Sequence, residues 1–361
     1  MENLKVVVVG AGMGGLTAAV AMQQAGYEVE IYDRVSELRP AGAGISLWSN
    51  GVKVLNKLGL GPQIANIGGP MQQMAYYTKT GELLTRFSLT PLIERVGQSP
   101  YPVSRTDLQA MLLDAVGSEQ VQLNKCCVAI EQTAESATAI FEDGHRATGD
   151  LVVAADGTHS IIRTHVLGQP TERRYVGYVN WNGLVDATDD LAPLNSWDIY
   201  VGNGQRASLM PVGGDRFYFF FDVPLPKGSD RNPERFQQEL SNHFQGWAKP
   251  VQTLISRLDP NRTNRVEIHD IEPLEKLIKG RVALIGDAAH STSPDLGQGG
   301  CQAMEDAWEL ANCLATTNIS VEDALARYEN NRKERVKGIV LGARKRADMT
   351  HGKDPQKPQQ W

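Results

Sequence analysis

The hexapeptide Gly10-Ala11-Gly12-Met13-Gly14-Gly15 constrains this chain more than any other feature. It follows the β-branched run Lys5 to Val9 and opens Met13 to Ala25, an Ala-, Leu- and Gln-rich stretch of helical periodicity. Strand, glycine turn and helix in that order aim backbone amides and the positive end of a helix dipole at a pyrophosphate. Gly10, Gly12, Gly14 and Gly15 allow its close approach. Gly26 ends the helix, and Glu28 to Tyr32 reads as a second strand finishing at Asp33, which closes a βαβ unit. A carboxylate there accepts hydrogen bonds from an adenosine ribose and repels a 2′-phosphate, which favours FAD or NAD over NADP.

The same alternation continues to about residue 170. Ser104 caps a helix carrying Leu108, Met111, Leu112 and Val116, Leu151 to Ala155 is a buried strand, and Ser160 begins another helix. Composition then changes. Tyr175 to Leu184, Ser196 to Val201, Ala207 to Val212 and Phe217 to Val223 read as successive strands, with Gly213-Gly214-Asp215 turning between the last two. An antiparallel sheet is expected from them, joined by the earlier hairpin Met74 to Phe87 with its turn at Lys79-Thr80-Gly81. A buried strand returns at Arg281 to Ile285, followed by helices over Cys301 to Ala315 and Val321 to Arg346.

The expected fold is therefore α/β, a Rossmann-like FAD-binding domain with an inserted antiparallel-sheet substrate domain and C-terminal helices. The cofactor domain spans 1–72, 99–172 and 269–350, the last with the C-terminal helices. The substrate domain spans the hairpin 73–98 and the sheet 173–268, and 351–361 is a tail.

Composition narrows the partners. A net charge of -6 over 361 residues offers no attraction to phosphate backbones or anionic lipid, so neither nucleic acid nor membrane is expected. Four cysteines, two of them the neighbours Cys126 and Cys127, do not make a disulfide framework and suit a reducing cytoplasm. The seven histidines are scattered, with no zinc spacing, and no metal site is expected.

A second motif, Gly286-Asp287-Ala288-Ala289-His290, follows the strand Val282 to Ile285 and runs through Pro294 to Gly297-Gln298-Gly299 before a helix. A carboxylate at a strand end suits a ribityl chain, and glycines leading into a helix offer amides to an electron-rich carbonyl. His290 invites a general-base reading, but its place in this motif favours structural hydrogen bonding. Together with Asp156-Gly157-Thr158-His159-Ser160-Ile161-Ile162-Arg163, these motifs resemble the single-component FAD aromatic hydroxylases over nearly the whole chain.

That resemblance implies FAD as bound cofactor, NADH or NADPH as transient reductant, O2 as co-substrate and oxygen transfer through a flavin C4a-hydroperoxide. It implies FAD contacts at Gly14, Asp33, Arg34, Arg105, Val128 and Asp287, with Asp156 near FAD and the nicotinamide. Ser46 and Trp48 would lie along the cofactor, and Gly297, Gln298, Gly299, Gly300 and Cys301 at the isoalloxazine. Gly300-Cys301 departs from the Asn that many members carry there, a variant shared with plant carotenoid epoxidases. Cys301 has no partnered histidine evident in sequence and is expected to be a packing residue.

The stretches Tyr178 to Gly183, Arg206 to Val212, Arg216 to Pro224, His269 to Pro273 and His351 to Asp354 resemble the members that act on urate. By that likeness Arg206 and Tyr218 contact substrate, with Asn180 and the backbone of Leu296, Gly297 and Gln298 nearby. Period-2 alternation places Arg206, Ser208 and Met210 on one strand face and Tyr218 with Phe220 on one face of the next. From the residues alone, Arg206 reads as a solvent-facing strand residue and Tyr218 as one ring of a packed core, and only the likeness turns both toward function. The expected reaction is hydroxylation of urate to 5-hydroxyisourate. Alternatives are another aromatic or alkene, such as a salicylate-like acid, or a non-redox binder, against which Asp287 and Gly297-Gln298-Gly299 argue.

Overall fold

The computed structural model describes residues 4–38, 43–229 and 231–352, so the expected tail from Lys353 onward, Asp354 included, lies outside the described residues. Val6 to Val9 are buried on both faces, as an uninterrupted β-branched run in a covered parallel sheet must be. This strand, Lys5–Val9, lies between Leu151–Ala154 and Glu28–Tyr32 in a six-stranded sheet. Val282–Leu284 lies parallel on the far side of Leu151–Ala154, with Ile278–Lys279 antiparallel at that edge and Val121–Gln122 at the other. Helix Met13–Gln24 covers one face and meets helix Gly299–Leu314 closely, since a Cβ on Gly14 would sit 3.2 Å from Ala303 Cβ. The expected helix at Ser160 starts two residues later, at Ile162, with Ser160 Oγ accepting from Arg163 N at 2.9 Å.

A three-stranded antiparallel sheet, Cys127–Gln132, Ala137–Phe141 and Arg146–Gly149, was not foreseen. The seven-stranded sheet runs Asn264–Ile271, Arg173–Asp186, Arg216–Pro224, Gln205–Val212, Ser196–Gly202, Gln73–Thr78, Leu83–Ser88. It is antiparallel except where Ser196–Gly202 lies parallel to Gln73–Thr78. Parallel neighbours require a crossover, and here the chain between them passes through the other sheet.

Alternation divides the run Phe217 to Asp222 between two faces. Phe217, Phe219 and Phe221 enter a core with Trp181, Phe236, Leu240, Phe244 and Trp247, covered by helices Phe236–His243 and Lys249–Ser256. Tyr218, Phe220 and Asp222 point to the other face.

Helix Val321–His351 is capped by Ser320, whose Oγ accepts from Asp323 N at 3.0 Å, and at 31 residues it spans about 46 Å. It ties down both sheets. Arg332 Nε donates to Asp306 Oδ1 at 2.7 Å, while Arg344 grips Asp270 at 2.8 Å in the seven-stranded sheet. Asp306 also accepts from Gly286 N at 2.9 Å and from His290 Nε2 at 2.6 Å. His290 is thus a structural hydrogen-bond donor that anchors the loop after Val282–Leu284.

All four cysteines are free. Burial pushes the Cys127 and Cys301 thiols up to about 12 and that of Cys313 to about 11. Cys301 Sγ accepts from Trp48 N at 3.3 Å, the place of a packing residue. Two outcomes are expected. Asp306→Ala lowers stability by about 3–5 kcal/mol, because it takes from buried Arg332 one of its two carboxylate partners and from His290 and Gly286 N their acceptor, and urea unfolding measures the drop. Iodoacetamide at pH 8 alkylates the folded protein at Cys126 alone, as peptide mass spectrometry will show.

Candidate active site

Four adjacent parallel strands end on one edge of the six-stranded sheet, each followed by a residue suited to a dinucleotide: Gly10, Asp33, Asp156 and Asp287. This is the edge where open α/β sheets bind ligands. Gly10 has φ +107°, and a Cβ on it would overlap the Ala155 carbonyl, while a Cβ on Gly15 would overlap the Gly10 carbonyl. Around Gly12 there is open space. Asp33 Oδ2 accepts from Ala11 N at 2.7 Å, holding the carboxylate beside the glycine turn, with exposed Arg34 next to it. Lys125 N donates to Asp33 O at 2.8 Å and brings up the strand carrying Val128, which is 51% exposed.

Arg163 joins the third and fourth of these turns. Its Nη2 donates to Thr158 O at 2.9 Å and its Nη1 to Ala288 O at 3.1 Å. Burial raises the Asp156 carboxyl, and the Asp287 side chain is exposed at the strand end.

Helix Gly299–Leu314 starts at Gln298 without a side-chain cap, and so does Met13–Gln24 at Gly12. A Cβ on Gly300 would overlap Ile45 Cδ1 and lie 3.9 Å from Met13 Cε, so the two uncapped N-termini share one cleft. Gly297, at φ +61°, packs under Ser46 Oγ and Trp48 Nε1, where a Cβ would clash with both. Arg105 Nε donates to Gly44 O at 3.4 Å on the segment leading to Ser46. Gln298 spends its amide on Asn50 at 2.9 Å and Gln302 at 3.0 Å, leaving its backbone to face the cleft.

Trp48 Nε1, Ser49 Oγ, Asp156 Oδ1, Thr292 Oγ1 and Ser293 Oγ are buried here without a hydrogen-bond partner. Buried polar atoms are rarely left so, and a long polar cofactor along this edge would supply what they lack. The residues present therefore fit FAD: glycine turn and helix amides for pyrophosphate, Asp33 for ribose, Asp287 for the ribityl hydroxyls.

Facing this edge is the second face of the seven-stranded sheet. Arg206, 8% exposed, donates from Nε to Asp222 Oδ2 at 2.7 Å, its direct cross-strand neighbour, and from Nη2 to Asp295 Oδ1 at 3.3 Å. Burial disfavours its charge, yet the two carboxylates outweigh that and keep it cationic. Asn180 Nδ2 donates to Asp222 Oδ1 at 2.6 Å and its Oδ1 accepts from Asn182 at 2.7 Å, so both ends of that amide are held within the protein. Tyr178 OH donates to Asp295 Oδ2 at 2.8 Å.

Tyr218 shares the Arg206 face but pairs with Met210, four positions along the hairpin. Its ring packs on Gly44, where a Cβ would overlap it, and burial pushes the phenol up to about 12, so it remains a donor at neutral pH. Leu296 packs its Cδ1 against Gly342 of the C-terminal helix. Asp222 and Asp295 escaped the sequence reading. The signal for Asp222 was its alternation with Tyr218 and Phe220, whereas Asp295 had none, since it reaches Arg206 from 89 residues away.

Comparison with known proteins agrees with this geometry. The sequence model of the FAD binding domain family matches residues 3–343. FAD-dependent urate hydroxylase of Klebsiella pneumoniae is 53% identical over 359 residues, covering 99% of this chain and 93% of that protein. Zeaxanthin epoxidase of Solanum lycopersicum is 32% identical, covering 94% of this chain and 54% of that one. The crystal structure of Klebsiella pneumoniae HpxO complexed with FAD and uric acid matches with a TM-score of 0.95 at 52% identity, covering 98% of this chain and 90% of that chain. The chain belongs to the FAD binding domain family and, within it, to the FAD-dependent hydroxylases.

Proposed function

We propose that this protein is a urate hydroxylase that converts urate to 5-hydroxyisourate with NADH or NADPH and O2. The observation that carries the reading is a buried guanidinium, Arg206, on a sheet face opposite a flavin-type cleft, in a chain 53% identical to a urate hydroxylase. When bound, FAD would supply the redox chemistry, accepting reducing equivalents from the nicotinamide and activating O2, from which the transferred oxygen atom comes. The protein's own residues bind, orient and shield. In this reading 1–72, 99–172 and 269–350 hold the cofactor, with 73–98 and 173–268 covering the substrate.

Gly10, Gly12, Gly14, Gly15, Asp33, Arg34, Arg105, Val128, Asp156 and Asp287 are assigned to FAD, with Ser46, Trp48 and Gly297 through Cys301 around its ring. Arg206 holds the planar anion by charge-assisted hydrogen bonds, against which Asp222 and Asp295 fix the plane of its fork. Tyr218, protonated at neutral pH, orients the substrate by donating to it. Asn180 acts by holding Asp222. The backbone at Leu296, Gly297 and Gln298 closes the site from the cofactor side. Urate carries its own negative charge at neutral pH, so no strong protein base is called for. No helix among the described residues is long and apolar enough to cross a membrane, and a cytoplasmic setting, where reduced nicotinamide is supplied, completes the reading.

Three measurements test it. With FAD-loaded protein, urate should accelerate NADH consumption and yield 5-hydroxyisourate with little hydrogen peroxide. Unaltered NADH consumption would return the substrate to the wider panel of aromatic acids. Arg206→Ala should abolish hydroxylation, at least a hundredfold by the cost of removing a buried charge partner, while NADH still reduces the flavin. Unchanged product formation would remove Arg206 from the site. Tyr218→Phe should raise the ratio of peroxide to product, and an undiminished coupling ratio would count against its role.

A further inference from the structure

His351, the last residue of helix Val321–His351, sits against the Arg206 cluster with its side chain 6% exposed. Its ring stacks on Tyr178 at 4.1 Å between centroids. Nδ1 lies 2.7 Å from Gly204 O, and a carbonyl only accepts, so Nδ1 carries a proton. In the neutral ring Nε2 is then a bare acceptor. It is buried, has no hydrogen-bond partner, and lies 3.9 Å from Asp295 Oδ1, which is also an acceptor. Two acceptors face each other inside the protein with nothing donated between them, and a proton on Nε2 would turn that opposition into an ion pair.

The charge balance points the same way. Among the described residues, the titratable and charged groups facing His351 are Asp222 and Arg206 on neighbouring strands, Asp295 in the 3-10 turn Pro294–Leu296, and Tyr178 beneath the ring. With His351 neutral, one cation faces two carboxylates, a net charge of -1. An anion bound at Arg206 takes the cluster to -2 in a setting where burial makes each charge costly. Burial lowers the His351 pKa from its ordinary value before the anion arrives, with Asp222 and Asp295 pulling it back up and Arg206 opposing them.

We propose that His351 is a positioning residue that takes up a proton on Nε2 when the anionic substrate binds, so that binding is coupled to proton uptake through the end of the C-terminal helix. The inference rests on Arg206 holding the urate anion. By linkage, urate affinity falls as pH rises between the pH at which free His351 deprotonates and the higher one at which the complex does. Across that window the dissociation constant rises about tenfold per pH unit.

The test is calorimetric titration of FAD-loaded enzyme with urate at pH 7, in phosphate and in Tris, whose ionisation enthalpies differ. The heats should differ by an amount corresponding to uptake of up to about one proton per urate. His351→Asn retains an amide donor for Gly204 O and removes the titrating nitrogen. It should abolish the buffer dependence and flatten the pH profile of KM. Urate binding with the same heat in both buffers overturns the inference and leaves the substrate reading intact, as does a wild-type proton count in His351→Asn. Absence of any urate binding overturns the substrate reading and this inference with it.

Discussion

Helix Met13–Gln24 starts so close to its strand that Gly15 touches the Gly10 carbonyl, and much of the molecule is arranged around that contact. A side chain at either position would lift the helix from the sheet and move its free amides from the edge where Asp33, Asp156 and Asp287 gather. Gly14 repeats the device one layer out, letting Ala303 approach so that a second uncapped helix opens into the same cleft. Two helix dipoles converge there because three glycines present no Cβ.

The strand, turn and helix around Gly10 to Gly15, the end of the next strand at Asp33, and the placing of Tyr218 with Phe220 on one face were all legible, because each depends on residues within a few positions of one another. Nonlocal pairings were not. Nothing near Ser196 indicates a parallel partner at Gln73, and the short strands from Cys127 to Gly149 carry mixed polar residues that blur their alternation. The site shows the same division. Arg206 was singled out by the family likeness, but its partner Asp295, and His351 beside Asp295, come from a 3-10 turn and a helix end that only the tertiary fold brings together.

Charge is handled in the two halves by one rule with different results. Around Asp306 a carboxylate receives a guanidinium, an imidazole and a backbone amide, a saturated arrangement that pins a loop in place. Around Arg206 two carboxylates compete for one guanidinium, and a buried imidazole nitrogen is left without a partner. Saturated polar clusters rigidify, and unsaturated ones respond to whatever enters. The first suits a fixed support under a cofactor, the second a site that must accept and release a charged ring.

The six-stranded sheet also has consequences for how the protein is made. Leu151–Ala154, buried on both faces, gains its neighbour Val282–Leu284 only after about 130 further residues have left the ribosome. At 5–20 residues per second that is a wait of roughly 7–25 s, during which an apolar strand edge stands open to any other chain. The intervening segment is the one that builds most of the other sheet with its own helices and core, elements able to gather before the first sheet is closed. Synthesis thus sets an order in which the covering layer precedes completion of the cleft it covers, and a ribosome stalled between these points leaves a chain poised to aggregate.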